Sequence, residues 1–253
     1  MTRERAVRRR RATGPDRRLV GTVCRVTTPS TTLAAQQKLA AAKPRLRGWF
    51  HAYAAVVSAV AGIVLVSVAA PTRGVEAGWS TSLYSLTLTG LFGISAFYHR
   101  GRWTARALRI WKRLDHSMIF IFIAGTYTPL TLLLMPRGTG LTVLAVVWSG
   151  ALVGVSLQLC WPNSPRWLSA PAYVALGWVA VFVMPDLLHT GGVAMLVLVI
   201  VGGSIYTLGA IAYALKRPNP APTVFGFHEV FHLCTLLAAL CHYIAIWFAV
   251  FSS

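Results

Sequence analysis

The chain has 253 residues, 56% of them hydrophobic and 12% charged, with twenty-four Lys and Arg against six Asp and Glu. Soluble domains carry about 25% charged residues, so a composition this apolar excludes a water-soluble fold. The net charge of +18 does not point to nucleic acid, because it is gathered in clusters between long apolar runs, the distribution of a membrane protein whose basic segments stay on the cytoplasmic side and touch anionic lipid headgroups.

Taken in chain order, residues 1–42 are rich in Arg, Thr and Pro. They read as a basic, largely disordered cytoplasmic extension, with a short surface helix over 32–42. They lack the apolar core and small-residue cleavage site of a signal peptide. Residues 43–253 read as one membrane domain. About twenty apolar residues are needed to cross the hydrocarbon core as a helix, and seven runs meet this: 49–70, 79–99, 114–135, 141–161, 167–184, 191–215 and 229–250. The expected fold is therefore all-α, a polytopic bundle of seven transmembrane helices. Trp49, Trp79, Trp161 and Trp167 fall at run ends, as an aromatic belt requires. Pro171 falls near the start of the fifth run, where a helix tolerates it.

Orientation follows from Lys and Arg on alternate connections. With the N-terminus inside, the inner segments 1–48, 100–113, 162–166 and 216–217 hold thirteen, six, one and two; the outer ones hold only Arg73 and Arg137. The positive-inside rule then puts the N-terminus in the cytoplasm and Ser253 outside, in a multi-pass protein of the plasma membrane. Cys234 and Cys241, about 10.5 Å apart along one helix, are too distant for a disulfide. They read, with Cys160, as small packing residues.

Polar groups within membrane spans are costly, and so are functional candidates. The second run ends in Ser95-Ala96-Phe97-Tyr98-His99, the third opens on Leu114-Asp115-His116-Ser117, and the seventh opens on His228-Glu229-Val230-Phe231-His232. Ser95 and His99, like His228 and His232, are spaced by one helical turn and share a face. In the deduced topology all three segments lie in one layer of the inner leaflet. Three histidines in one layer suit a zinc ion, since three protein ligands and a water make the catalytic pattern and such a site generates a hydroxide nucleophile. The expected metal ligands are His99, His228 and His232. Asp115 and Ser95 are the candidate catalytic groups, Asp115 orienting a ligand or acting as general base and Ser95 bonding the water or a substrate oxygen. The competing reading is a network of histidines and serines that only joins helices.

His116 and Glu229 are each rotated by about 100° from their neighbours Asp115 and His228. His116 is read as a supporting group or as facing a neighbouring helix, and Glu229 as a supporting group or as a carboxylate favoured at a helix start. His242 lies about 15 Å beyond His232, too far to share its ion, and is expected to pair with a neighbouring helix. His51 and His189 are read as boundary residues.

The segments Lys43-Pro44-Arg45-Leu46-Arg47-Gly48-Trp49-Phe50-His51, Ser95–His99, Arg113–Ser117 running on to Ala124-Gly125-Thr126-Tyr127-Thr128-Pro129, and His228–His232, in that order, resemble the hemolysin III family, the bacterial branch of the progestin and adipoQ receptor group. The resemblance covers 43 to the C-terminus; the long basic stretch before it departs from the family pattern. It implies a seven-helix bundle with the N-terminus inside, unlike G-protein-coupled receptors. From zinc-binding relatives it carries over one histidine of an SxxxH motif and two of an HxxxH motif, here His99, His228 and His232, with Ser95 and Asp115 completing the pattern. Adiponectin receptors and the similar alkaline ceramidases are linked to lipid amide hydrolysis.

The leading expectation is thus a zinc-dependent membrane hydrolase acting on a lipid amide or ester through a zinc-bound water. Its partners would be membrane lipids and a lipid-like substrate, with no specific nucleic acid. The alternatives are a channel-forming haemolysin (cytolysis), which the family name suggests, and a receptor or signalling protein with a structural zinc. A retinal protein is disfavoured, because the Schiff base needs a buried Lys and the seventh run has none.

Overall fold

The computed structural model describes residues 44–161 and 165–252. Residues 1–42, with the expected surface helix and Cys24, lie outside the described residues. The described chain is helical: α1 (Trp49–Arg100), α2 (Ala105–Leu134), α3 (Arg137–Cys160), α4 (Arg166–Gly177), a 3₁₀ helix (Trp178–Val183), α5 (Met184–Leu215) and α6 (Phe227–Phe251). Five helical stretches among the described residues are long and apolar enough to cross a membrane.

Two of those five are broken at a glycine. In α1, Gly74 stands at φ 80°, ψ −170°, the left-handed region that glycine enters without a Cβ penalty. The halves on either side, 49–73 and 75–100, fold back on each other. A Cβ on Gly62 would sit 2.7 Å from that of Ser85, and a Cβ on Gly48 2.7 Å from that of His99. The Ser58 hydroxyl donates to Thr89 Oγ1 at 3.3 Å. Partners that draw closer in sequence toward Gly74 define an antiparallel hairpin, held close by small residues as is common in membranes. Gly192, at φ 76° and ψ 173°, makes the corresponding break in α5, and the Trp178 indole reaches back to donate to Thr207 Oγ1 at 2.9 Å.

Helix α2 is the central element: 72% of its most apolar stretch is buried, against 28% for α1 and α3. It starts at Ala105, well before the apolar run at 114, because Thr104 caps it by accepting from the Ala107 N–H at 3.3 Å; the basic stretch 105–113 is helical although it is not apolar. Between α4 and α5 the expected single helix over 167–184 gives way to a 3₁₀ segment. The cause is Tyr127 of α2, whose hydroxyl donates to the Gly177 carbonyl at 2.7 Å and accepts from the Ala180 N–H at 2.6 Å. Pro171 lies inside α4. Outward faces carry exposed Val56, Val60, Ile63, Leu86, Leu152 and Phe248, a lipid-facing surface rather than a solvated one.

The first half of α1 runs parallel to α6. Tyr243 donates to the Ala61 carbonyl at 3.0 Å, and His51 stacks on His232, so the offset between partners is preserved along both helices. Below them the segment 44–48 is stitched to the loop before α6, with the Arg45 N–H donating to the Thr223 carbonyl at 3.0 Å and that of Leu46 to Val224 at 3.2 Å.

Candidate metal centre

Three elements meet at the end of the bundle where α1 stops and α2 and α6 start. His99 is in the last turn of α1, which ends at Arg100, and four residues then lead into α2. His228 is the second residue of α6 and His232 lies one turn on. The entry to α6 is held by Glu229, whose Oε2 accepts from the Gly226 N–H at 2.9 Å.

His99 and His232 are buried and His228 is half-buried. One nitrogen from each ring can be chosen so that all three lie within 4.8 Å of one another, an arrangement that could hold a metal ion. The Nε2 atoms of His99 and His228 are 3.1 Å apart. Nitrogens bound tetrahedrally to zinc at about 2.0–2.1 Å stand roughly 3.4 Å apart, so this separation fits an ion between them. The donor set, imidazole without thiolate, suits zinc among other first-row ions.

Asp115 stands beside the triad. Its Oδ2 is 3.9 Å from His99 Nε2 and 3.7 Å from His116 Nδ1, and the Ser95 hydroxyl is within reach of the same carboxylate. His116 Nδ1 donates to the Lys112 carbonyl at 2.8 Å, which keeps His116 out of the triad. The structure therefore brings Ser95, His99, Asp115, His228 and His232 together.

Two features were not read from the sequence. His51, expected at a boundary, is 2% exposed, and its ring lies on that of His232 at 3.8 Å and 7°, fixing the plane of a candidate ligand. Glu229 is 1% exposed and pairs with Arg47, which locks segment 44–48 against α6. Gly48 follows, at φ 79°, where a side chain would be strained and would strike His99. The only signal in the sequence was that Arg47, Gly48 and His51 belong to one recognisable segment. His189 is exposed, as a boundary residue should be.

A cavity opens from this polar layer into the bundle, lined by Ser95, Asp115, His228 and His232 at the metal end and by Leu91 and Phe231 further in. A second, mostly apolar cavity shares Leu91, Phe231 and Thr235 with it and is open in part to the outside.

Residues 39–243 match a family model described as "Haemolysin-III related". The chain belongs to the hemolysin III family. It is similar to "Hemolysin-3" of Bacillus cereus, 26% identical over 186 residues, covering 74% of this chain and 82% of that protein. A "Hemolysin-3 homolog" of Bacillus subtilis is 35% identical over 104 residues, 41% of this chain and 49% of that one. The human "Monocyte to macrophage differentiation factor" is 26% identical over 169 residues, 65% and 68% respectively. As a hemolysin III protein with several apolar membrane-length helices, the chain is a multi-span membrane protein.

Proposed function

We propose that this hemolysin III protein is a zinc-dependent hydrolase of the plasma membrane that cleaves a lipid amide or ester. It would cross the bilayer seven times, with its N-terminus in the cytoplasm. The 52 residues of α1, about 78 Å if straight, exceed twice the roughly 30 Å of hydrocarbon. Their hairpin at Gly74 supports two crossings, as the break at Gly192 does for 166–215. The parallel course of 49–73 and α6 agrees with an odd total.

The observation that carries the chemistry is the gathering of three histidines, a carboxylate and a hydroxyl, of which His228, His232, Asp115 and Ser95 line the end of an apolar cavity. His99, His228 and His232 would hold the ion, which supplies Lewis acidity and an acidified water. The cavity receives an apolar chain and leaves its polar carbonyl at the mouth. Asp115 Oδ2 takes the proton from the water as its oxygen attacks the acyl carbon, and returns it to the departing nitrogen or oxygen as that bond breaks. Ser95 donates to Asp115 or to the carbonyl oxygen. His51 and the Arg47–Glu229 pair hold His232 and the start of α6 in place.

The test is elemental analysis of the detergent-purified protein, wild type and His228→Ala/His232→Ala, beside hydrolysis of amide- and ester-linked lipids in mixed micelles. About one zinc per chain, lost with hydrolysis in the variant, is expected. Folded wild type without metal, or hydrolysis that survives the double substitution, sinks the proposal. The names of the Bacillus relatives favour a second reading, a channel-forming haemolysin; rapid dye release from protein-loaded liposomes, unchanged in the same variant, would favour it instead.

A further inference from the structure

The two ends of the α1 hairpin meet beside the triad and bring cations with them. Trp49 opens α1 and Arg100 closes it, and a Cβ on Gly48 would lie 2.7 Å from His99 Cβ and 3.2 Å from Arg100 Cγ. The result is an open cleft lined by Pro44, Arg45, Arg47, Trp49, His99 and Arg100. The Arg100 guanidinium lies over the Trp49 ring, 3.4 Å from its centroid. That contact holds one face of the cation and leaves its N–H fork for another partner. The Arg45 backbone is pinned by its N–H donating to the Thr223 carbonyl at 3.0 Å, while the Arg45 and Arg100 side chains are both exposed.

The charge of this cleft is not balanced from within the described chain. Glu229 is taken up by Arg47, and Asp115 lies against His99 and His116. Among the described residues neither Arg45 nor Arg100 forms an ion pair. Two guanidinium groups lining one cleft suit an anion with several acceptor oxygens, such as a phosphate. The surface beyond the cleft points to what carries that anion. Trp49 stacks on Tyr53 with ring centroids 5.7 Å apart, and the exposed face continues through Val57, Val60 and Val64, each about one helical turn on. This apolar stripe runs about 22 Å along the axis, more than half the roughly 30 Å of hydrocarbon. Its aromatic head sits where an interfacial belt would place it, at headgroup level. A lipid phosphate would use the cleft and the stripe together, whereas a free phosphate would use only the cleft.

We propose that the cleft between segment 44–49 and Arg100 binds the phosphate of one anionic phospholipid, with Arg45 and Arg100 as its donors and the Trp49–Val64 face against an acyl chain. This is one lipid at one place, distinct from the general attraction of basic segments to a charged membrane surface. It bridges segment 44–48 to the end of α1 that carries His99. It does not rest on the hydrolase reading and is tested by binding, without metal or turnover.

The probes are dioctanoyl phosphatidylglycerol, dioctanoyl phosphatidylcholine and inorganic phosphate. Each is added to the delipidated full chain in neutral detergent, and bound molecules are counted by native mass spectrometry in about 0.2 M ammonium acetate, where exposed charges further apart than a Debye length are screened. Wild type is expected to retain one phosphatidylglycerol at about tenfold lower concentration than phosphatidylcholine, as two charge-assisted contacts allow, and to hold inorganic phosphate no better than phosphatidylcholine. Arg45→Gln/Arg100→Gln should abolish the preference. Arg45→Lys/Arg100→Lys keeps both charges but not the planar fork, and should lose most of it. Arg102→Gln/Arg106→Gln alters exposed cations that do not line the cleft and should leave the preference within about twofold of wild type. Equal retention of the two lipids by wild type overturns the proposal. So does a preference kept in full by the lysine variant or lost in the Arg102/Arg106 variant, which means general charge attraction, and so does inorganic phosphate bound as tightly as the lipid, which means a free-anion site.

Discussion

Replacing Arg47 by Met leaves the Glu229 carboxylate, 1% exposed, without its cation. Breaking a buried pair by removing one partner costs about 3–5 kcal/mol. Arg47 itself is 19% exposed, and water entering from its side offsets part of that, so about 3 kcal/mol is expected. For a chain of this size that is roughly 6–12 °C in apparent melting temperature, to be compared at one scan rate because membrane proteins in detergent often unfold irreversibly. The loss is local as well as global. The pair ties 44–48 to α6, Gly48 abuts His99, and His51 lies on His232, so metal content should fall with stability. The control is Arg47→Met/Glu229→Gln, which removes both charges yet keeps an oxygen to accept from the Gly226 N–H. Charge-free replacement of a buried pair is often nearly neutral, so the double variant should regain most of the lost temperature and metal. An Arg47→Met protein melting within about 2 °C of wild type with full metal, or a double variant as poor as the sum of its singles, would refute the view that this pair organises the site.

Three further outcomes follow from other contacts. Tyr127→Phe removes the hydroxyl that serves both Gly177 and Ala180. It should lower stability by about 1–3 kcal/mol through the backbone groups left unpaired, seen as a lower apparent melting temperature with metal content unchanged. Gly74→Ala adds a Cβ that meets nothing within 4 Å but must sit at φ 80°, ψ −170°, so a penalty of about 1–3 kcal/mol is expected in the same assay, again with metal retained. His51→Phe keeps a flat ring against His232 and should hold metal near the wild-type level, whereas His51→Ala should weaken metal binding by about tenfold, the lower range for supporting groups. Equal metal affinity of the alanine variant and wild type, by competition with a chelator, would show that the stack positions nothing.

Much of the protein was readable because the bilayer imposes simple constraints. Apolar runs of membrane length and helical spacing marked the helices, and fixed spacings put Ser95 with His99 and His228 with His232. The common depth of these residues and Asp115 followed from alternating the direction of successive runs. Hydropathy could not mark where helices continue past the apolar stretch, since a capped helix such as α2 begins wherever its backbone is satisfied; nor could it see the 3₁₀ segment, which depends on a hydroxyl from another helix.

What the sequence determined by itself was the set of candidate ligands and their layer, because both depend on helical rise and the cost of burying polar groups. Tertiary structure alone decided that His51 lies on His232, that Arg47 meets Glu229, and that His242 meets Tyr206 edge to face. Those pairings depend on the rotation and spacing of helices distant in sequence, set by close contacts such as Gly48 on His99 and Gly202 on His242, which no one-dimensional period encodes.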